Sequence, residues 1–472
     1  MLGFVIFALV AFFGLLVALV IMFWPTTKKA ANELGIPGDF PSNNKTGNAQ
    51  DIAAAGSLHD YLCGLHARHG PLTAFHLGQQ LVVSAASPKL FDELKSSFNR
   101  PADLFKLYEP LFTSHSLLYL NTSQAKERHR HFGAAFQGEA LQNFYSLFVP
   151  NTMECIGKFL SRPSGEHVNI TRSMFQLATS AFSQAAFGSF FAQQTAQQEL
   201  QSICEECWHE LEHRLDLNPP SADRKAKFEK NQQSLCSLIE RCIKYRRQGS
   251  KADLEHTLFI DRLLGEERNN DETIGEAATF LFNSLHTTAY LLVWAVYYLS
   301  RNKNVQDKVA AEVREVLGDS GAPTPSNISK LRYTKQVVDE TLRCSVLSPL
   351  AARYFDADTE LGGYEIPAKV PVIAAIGVVL QDVTIWPQPE RFDPERFSPE
   401  AIKKRSPRSC ETFGLAGRRC PGFQYANTQA VIILSLLCRQ VCFSPVSDKK
   451  IAVSRGIISR PTDDVEVTLK KR

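Results

Sequence analysis

The chain has 472 residues and a formal net charge of +3. It is too long for one simple core and too near neutrality for nucleic-acid binding driven by charge. Its eleven cysteines are an odd number scattered along the sequence, unlike the dense spacing of a small secreted scaffold, so they read as reduced and mostly buried.

Residues 1–24 carry no charged side chain and consist largely of Leu, Val, Phe, Ala and Ile, enough for a helix to cross the hydrocarbon core. Pro25 ends the run, and Lys28 and Lys29 follow at once, which by the positive-inside rule leaves the remainder in the cytosol. A cleavable signal peptide competes, but the run is long for one and its start lacks the usual positive charge. Residues 1–25 are therefore expected to be an uncleaved anchor. The sequons at Asn44, Asn121, Asn169 and Asn327 are then chance matches in a cytosolic body.

Gly35-Ile36-Pro37-Gly38 and the polar stretch 41–48 supply turn residues without an apolar period, so 26–55 reads as a linker and 56–472 as the globular body. Residues 72–84, broken by Gly78, alternate like a two-stranded hairpin, and a second strand-rich patch covers 364–379. Most of the rest has helical period, which predicts a mainly α fold with a smaller β lobe. Cys204 and Cys207 form a CxxC within the helix-like run 200–211. No second CxxC or HxxxH completes a zinc site, and they read as ordinary helix residues.

Residues 273–300 form a nearly all-apolar helix on which Thr279, Asn283 and Thr287 recur at intervals of four, with Ser284, Thr288 and His286 alongside. A polar stripe on such a helix must face partners, water or a cavity, because unpaired buried polar groups are costly. Since 277–299 is also long enough to span a bilayer, a second transmembrane helix is equally open at this point, with His286 counting against lipid.

The decisive segment is Phe413-Gly414-Leu415-Ala416-Gly417-Arg418-Arg419-Cys420-Pro421-Gly422, followed by an apolar helical run over 423–437. A Cys directly before a Pro at the first helical position lies at the positive end of a helix, where a thiolate is favoured. The glycines allow a tight loop whose amides approach the sulfur. A lone Cys-Pro-Gly would be a helix start with a buried Cys, but the full segment resembles the haem-binding signature of the cytochromes P-450. The resemblance implies that Cys420 ligates the iron of haem b within a loop closed by Gly422, that Arg418 neutralises a propionate and that Phe413 shields the sulfur. The family usually has glycine in place of Ala416, and the loop is strained there if the position needs positive φ.

Further motifs follow the family's order. Glu340-Thr341-Leu342-Arg343 is an ExxR whose ends share a helix face. After it come Arg353, Gly362-Gly363-Tyr364-Glu365-Ile366-Pro367, Asp382, Trp386-Pro387 and Arg391-Phe392-Asp393-Pro394-Glu395-Arg396-Phe397. The resemblance implies a buried network of Glu340, Arg343 and Arg396, and a propionate contact from Arg353. It also places 283–288 in the oxygen-binding groove of a cytosolic haem site, which removes the transmembrane alternative. Thr287 takes the place of the oxygen-activating alcohol, and His286 replaces its acidic neighbour as a candidate proton relay. Where the family commonly has WxxxR, residues 124–136 hold no Trp, leaving Arg128, His129 or Arg130 to meet a propionate.

Within the superfamily, residues 1–8, Gly56-Ser57-Leu58-His59 and Gly377-Val378-Val379-Leu380-Gln381-Asp382 resemble family twenty, an animal group without a settled substrate. The implied protein is an endoplasmic-reticulum monooxygenase inserting one oxygen atom into an apolar, lipid- or sterol-like substrate. Its electrons come from NADPH through a flavoprotein reductase. Lys403, Lys404, Arg405, Arg408 and Arg419 either receive that reductase or form a solvated loop. A peroxide-rearranging isomerase and a haem protein with little catalysis are the other implied functions.

Overall fold

The computed structural model describes residues 33–163, 165–215, 220–249, 256–265 and 269–472, and the expected anchor over 1–25 lies outside them. Among the described residues no helix is long and apolar enough to cross a membrane, the striped helix included.

Fifteen elements frame the site. In chain order they are α1 (Ala49–Ala55), α2 (Leu58–His69), β1 (Leu72–Leu77), β2 (Gln80–Ala85), α3 (Thr122–Gly133), α4 (Ile170–Phe187), α5 (Gln194–His213), α6 (Ala222–Arg247), α7 (Asn270–Arg301), α8 (Arg332–Ser345), β3 (Ala351–Arg353), β4 (Val372–Ala374), α9 (Phe423–Gln440), β5 (Val453–Arg455) and β6 (Ser459–Pro461). The fold is mainly helical with a smaller sheet region. In that region β1 and β2 form the expected hairpin, β2 pairs in parallel with β4, and β4 runs antiparallel to β3.

The two larger hydrophobic cores among the described residues correspond to the two lobes. Met174, Leu281, Leu292 and Leu434 belong to the helical one, and Leu62, Phe75, Val83, Ile373 and Trp386 to the one beneath the sheet. The long α7 starts where Asn269 accepts the Glu272 N–H at 2.8 Å, with Asp271 and Glu272 facing the positive end of the helix. It then runs through the helical core with α4 along its side. Residues 273–282 are all buried, whereas Asn283 is exposed and Ser284 and Thr287 are half-buried.

The linker expected over 26–55 is corrected over its described part. Ile36 and Asn48 are fully buried. Ala74 N–H donates to Pro37 O at 2.8 Å, Asn48 N–H to His76 O at 2.8 Å, and His76 N–H returns to Asn48 Oδ1 at 2.9 Å. A Cβ on Gly38 would lie 1.9 Å from Ala74 O, so glycine is what lets this strand edge be covered. The docking combines backbone hydrogen bonds with the Asn48 amide and the Ile36 side chain, a set without an apolar period to read.

Two segments quoted for the subfamily resemblance meet in space. His59 packs where a Cβ on Gly377 would lie 2.5 Å from its Cε1, and its Nε2 is 3.3 Å from Gln381 Oε1.

The approach of residues 112–117 to α7 depends on a missing side chain. A Cβ on Gly275 would lie 2.4 Å from Thr113 Oγ1 and 2.7 Å from Phe112 O, and the next residue, Glu276, accepts the Leu117 N–H at 2.8 Å. Helix propensity alone would favour Gly275→Ala by about 1 kcal/mol, but overpacking typically costs ~1–3 kcal/mol and should win. Gly275→Ala should therefore lower stability to denaturant. Gly157→Ala, at a helical glycine with nothing within 4 Å, should leave it unchanged or raised. Equal shifts in the two variants would show that the loop does not press on α7.

Candidate haem-thiolate site

The loop before α9 is shaped by its own backbone. Cys420 N–H donates to Phe413 O at 2.9 Å, Gly414 takes φ of +84°, and a single 3₁₀ turn covers Ala416–Arg418. Helix α9 begins at Phe423, whose N–H reaches Cys420 O at 3.3 Å. Pro421 therefore lies two residues before the first helical position, which it was expected to occupy.

Cys420 exposes surface although it sits deep in the chain, so its sulfur opens on an internal hollow. Burial pushes its thiol up, against the Gly422 N–H and the charges of Arg100 and Arg419, which pull it down. The helix start alone does not yield a thiolate here. A metal at the sulfur is what would complete deprotonation. Phe413 is half-buried with its ring 6.3 Å from that of Phe423, over which the Arg419 guanidinium lies at 4.2 Å.

Ala416 has φ of +43°, so the loop requires positive φ where the chain lacks glycine. This is the strained outcome of the two left open by the sequence.

Three guanidinium groups gather beside the loop. Arg418 Nη2 donates to Leu117 O at 2.7 Å and Leu120 O at 2.8 Å, and its guanidinium lies 4.6 Å from the Phe98 ring. Arg353 Nη2 donates to Leu415 O at 3.3 Å. Burial holds Arg418 down at about 8, with Arg100 and Arg353 adding repulsion, while burial and then Arg100 hold Arg353 at about 9. Arg353 Nε and Arg418 Nε and Nη1 are buried without hydrogen-bond partners. Such a cluster requires anionic acceptors, and it fits the two carboxylates of a haem edge.

Of the three candidates on α3, only His129 joins this cluster. Its Nε2 lies 2.6 Å from Arg419 O, and burial is the main cause that lowers its pKa, with Arg418, Arg100 and Arg353 contributing. Arg128 instead donates to His115 O at 2.9 Å, and Arg130 is corrected as a candidate because it is exposed on another face of the helix. Sequence reasoning missed Arg100, which lies in an irregular stretch without period. Both of its backbone polar groups are clamped by Asn121, whose Oδ1 accepts Arg100 N–H at 2.8 Å and whose Nδ2 donates to Arg100 O at 3.0 Å.

The structure brings Glu340, Arg343 and Arg396 together. The Glu340 carboxylate receives Arg343 Nε at 2.7 Å, Arg343 Nη2 at 2.9 Å and Asp393 N–H at 2.9 Å, and Arg396 Nε lies 3.4 Å away. Glu340 and Arg343 are 0% exposed. Of the basic residues near the loop, Arg405 is stacked 3.9 Å from the Trp386 ring and Arg408 pairs with Asp92 and Glu411, leaving Lys403, Lys404 and Arg419 exposed.

On α7 the stripe and His286 separate. Thr287 Oγ1 donates to Asn283 O at 2.6 Å, and Thr287 remains half-buried beside the exposed Asn283. His286 stacks on Trp208 of α5 at 4.1 Å and 18°, meets Phe175 of α4 edge-on at 5.6 Å, and is 2% exposed. Its Nδ1 is held 3.1 Å from Phe282 O, and burial pushes its pKa down to about 3. The proton-relay expectation for His286 is thereby corrected. Its ring is a neutral packing element one helical step off the stripe.

Two substitutions test this geometry. Removing one partner of a buried charge network costs about 3–5 kcal/mol, so Glu340→Ala should fail to accumulate as holoprotein. Normal haem content in that variant would show that the network is dispensable. Ala416→Gly should relieve about 1–2 kcal/mol of left-handed strain against ~0.5–1 kcal/mol of added unfolded-state entropy. A modest rise in the denaturation midpoint of the holoprotein is expected, and an unchanged or lower midpoint would argue against strain.

The family model described as Cytochrome P450 matches residues 37–468. Over 100% of both chains, the protein is 32% identical to cytochrome P450 20A1 of Bos taurus and 31% identical to that of Homo sapiens. Cytochrome P450 4V2 of Mus musculus is 33% identical over 47% of this chain and 43% of its own. The crystal structure of the cytochrome P450DA haem domain superposes with a TM-score of 0.79 at 21% identity, covering 90% of this chain and 95% of that one. Its likeness supports the fold, and the full-length matches carry the assignment. The chain belongs to the cytochrome P450 family of haem-thiolate monooxygenases.

Proposed function

We propose that the chain is a membrane-anchored monooxygenase that inserts one atom of O2 into an apolar, lipid- or sterol-like substrate, with Cys420 as the iron ligand. The observation that carries this reading is the pairing of an inward-opening cysteine sulfur with an underpartnered arginine cluster at Arg353 and Arg418. In the proposed arrangement Cys420, with the Gly422 N–H beside it, would hold the iron of haem b. Arg100, Arg353, Arg418 and His129 would hold its propionates, and Phe413 with Phe423 would cover the loop. Bound haem would supply oxygen activation when given two electrons. Thr287 would order a proton donor beside the stripe, and the buried run 273–282 excludes bulk water on that side.

Electrons are assigned to NADPH through a flavoprotein reductase, and the exposed Lys403, Lys404 and Arg419 give an acidic partner a place to dock. The charge asymmetry around residues 1–25 supports a single-pass anchor in the endoplasmic reticulum with a cytosolic body. Three of the sequon side chains are used internally. Asn121 clamps Arg100, Asn169 Nδ2 donates to Asp464 at 2.6 Å, and Asn327 Nδ2 donates to Ala322 O at 3.2 Å. A second reading, a haem protein with little turnover, is favoured by one observation: His286 is neutral and packed where the family has an acid. NADPH consumption that releases peroxide with every lipid tried would select it.

The reduced protein with carbon monoxide should show the far red-shifted Soret band of a thiolate-bound haem. Cys420→Ser should abolish that band and Cys410→Ser should keep it. A band that survives Cys420→Ser would move the ligand elsewhere.

A further inference from the structure

The ring of Phe98 lies where three basic side chains meet. It is 4.6 Å from the Arg418 guanidinium, 5.6 Å from Lys126 Nζ, and edge-on to the His129 ring at 6.3 Å and 86°. It also packs close on the cysteine loop, since a Cβ on Gly417 would lie 3.4 Å from its Cδ2. One turn before His129, on the same face of α3, stands only the methyl of Ala125, which is 0% exposed. The aromatic group comes instead from the irregular stretch just before Arg100.

Beyond the ring is water. Phe98 is half-buried and lines a surface pocket of about 260 Å3 together with the exposed Ser123, Lys126 and Asp356. Arg418 is 2% exposed and does not line that pocket, so the ring stands between its guanidinium and the solvent on that side. A ring attracts a cation through its π face and needs none of the cation's N–H donors to do so. Arg418 Nη2 is engaged by Leu117 O and Leu120 O, while Nε and Nη1 have no hydrogen-bond partner. Phe98 therefore helps to hold a buried cation whose remaining donors stay free for an anion.

We propose that Phe98 is a positioning residue that screens the Arg418 guanidinium from the surface pocket and so tightens the hold of the arginine cluster on the carboxylates of haem. This rests on the proposed haem-thiolate reading, which puts the propionates at that cluster. Water admitted to the guanidinium would have to be displaced by an arriving carboxylate, and the pair would attract less strongly in the higher local dielectric. An aliphatic side chain in place of the ring gives the cation no π face to lie on.

The test equilibrates holoprotein with mixtures of haem and its dimethyl ester, which keeps the macrocycle and the iron but has no propionate charge, and reads the bound fraction of each after extraction. The unsubstituted protein should prefer haem, and the preference should fall about 3–10-fold in Phe98→Leu. Phe98→Tyr keeps the ring and should keep the preference. Loosened packing alone would weaken haem and ester alike and leave their ratio in place, so the ratio reports on the carboxylates. A preference unchanged in Phe98→Leu overturns the proposal, as does an equal fall in Phe98→Tyr or the lack of any preference in the unsubstituted protein. A Phe98→Leu protein that holds neither ligand overturns it too, because Phe98 would then be a determinant of the fold. Each sample is also reduced with carbon monoxide. An intact thiolate band with the wrong ratio removes only the role of Phe98, whereas a missing band in the unsubstituted protein removes the haem-thiolate reading and this inference with it.

Discussion

The Glu340 carboxylate is the constraint on which the proximal half of the molecule depends. It is fully buried and accepts from Arg343 and from the Asp393 N–H, with Arg396 at its rim. Arg343 in turn donates to Leu380 O at 3.1 Å and Pro389 O at 2.7 Å, and its guanidinium lies 5.2 Å from the Trp386 ring. That indole is also met by chain closer to the cysteine loop, through Arg405 at 3.9 Å. One carboxylate thus orders an irregular stretch that has no strand or helix period of its own. Burial opposes the charge of Arg343, yet its bond to Glu340 still leaves it above the usual range. The ion pair is therefore satisfied on both sides, which is the condition under which a buried pair can be kept.

The arginine cluster shows the opposite condition. Arg100, Arg353 and Arg418 are all held below their usual range, and several of their donors lack partners. A polypeptide that buries cations in this way is stabilised by whatever anion it binds, because the ligand removes a cost that the unfolded chain does not carry. Haem binding and folding should for this reason be coupled. The same logic applies to Cys420, whose thiol is raised by burial until a metal takes the proton's place.

What could be read from the sequence was what obeys a period or a short motif. The helix α7 and its stripe, the hairpin of β1 and β2, and the pairing of Glu340 with Arg343 follow from residues whose spacing sets which face they share, while Arg396 was placed with them by the family resemblance. What could not be read was placed by backbone contacts or by partners distant in sequence. Residues 36–48 dock through amides and carbonyls and so look like a linker. Arg100 has no pattern around it and is positioned by Asn121, a residue that had been read only as part of a sequon. Arg130 and His129 are neighbours, and choosing between them required the rotation of α3 relative to the loop.

The division of α7 into two adjoining stripes bears on the chemistry that the chain can perform. Phe282, His286 and Tyr290 are spaced by four and meet Trp208 and Phe175, so this stripe seals α7 against α5 and α4. Thr279, Asn283 and Thr287 form the neighbouring stripe, each side chain donating to the carbonyl one turn back. Burial lowers the His286 pKa to about 3, so this imidazole is uncharged near neutral pH and stacks on Trp208 apart from the Thr287 stripe.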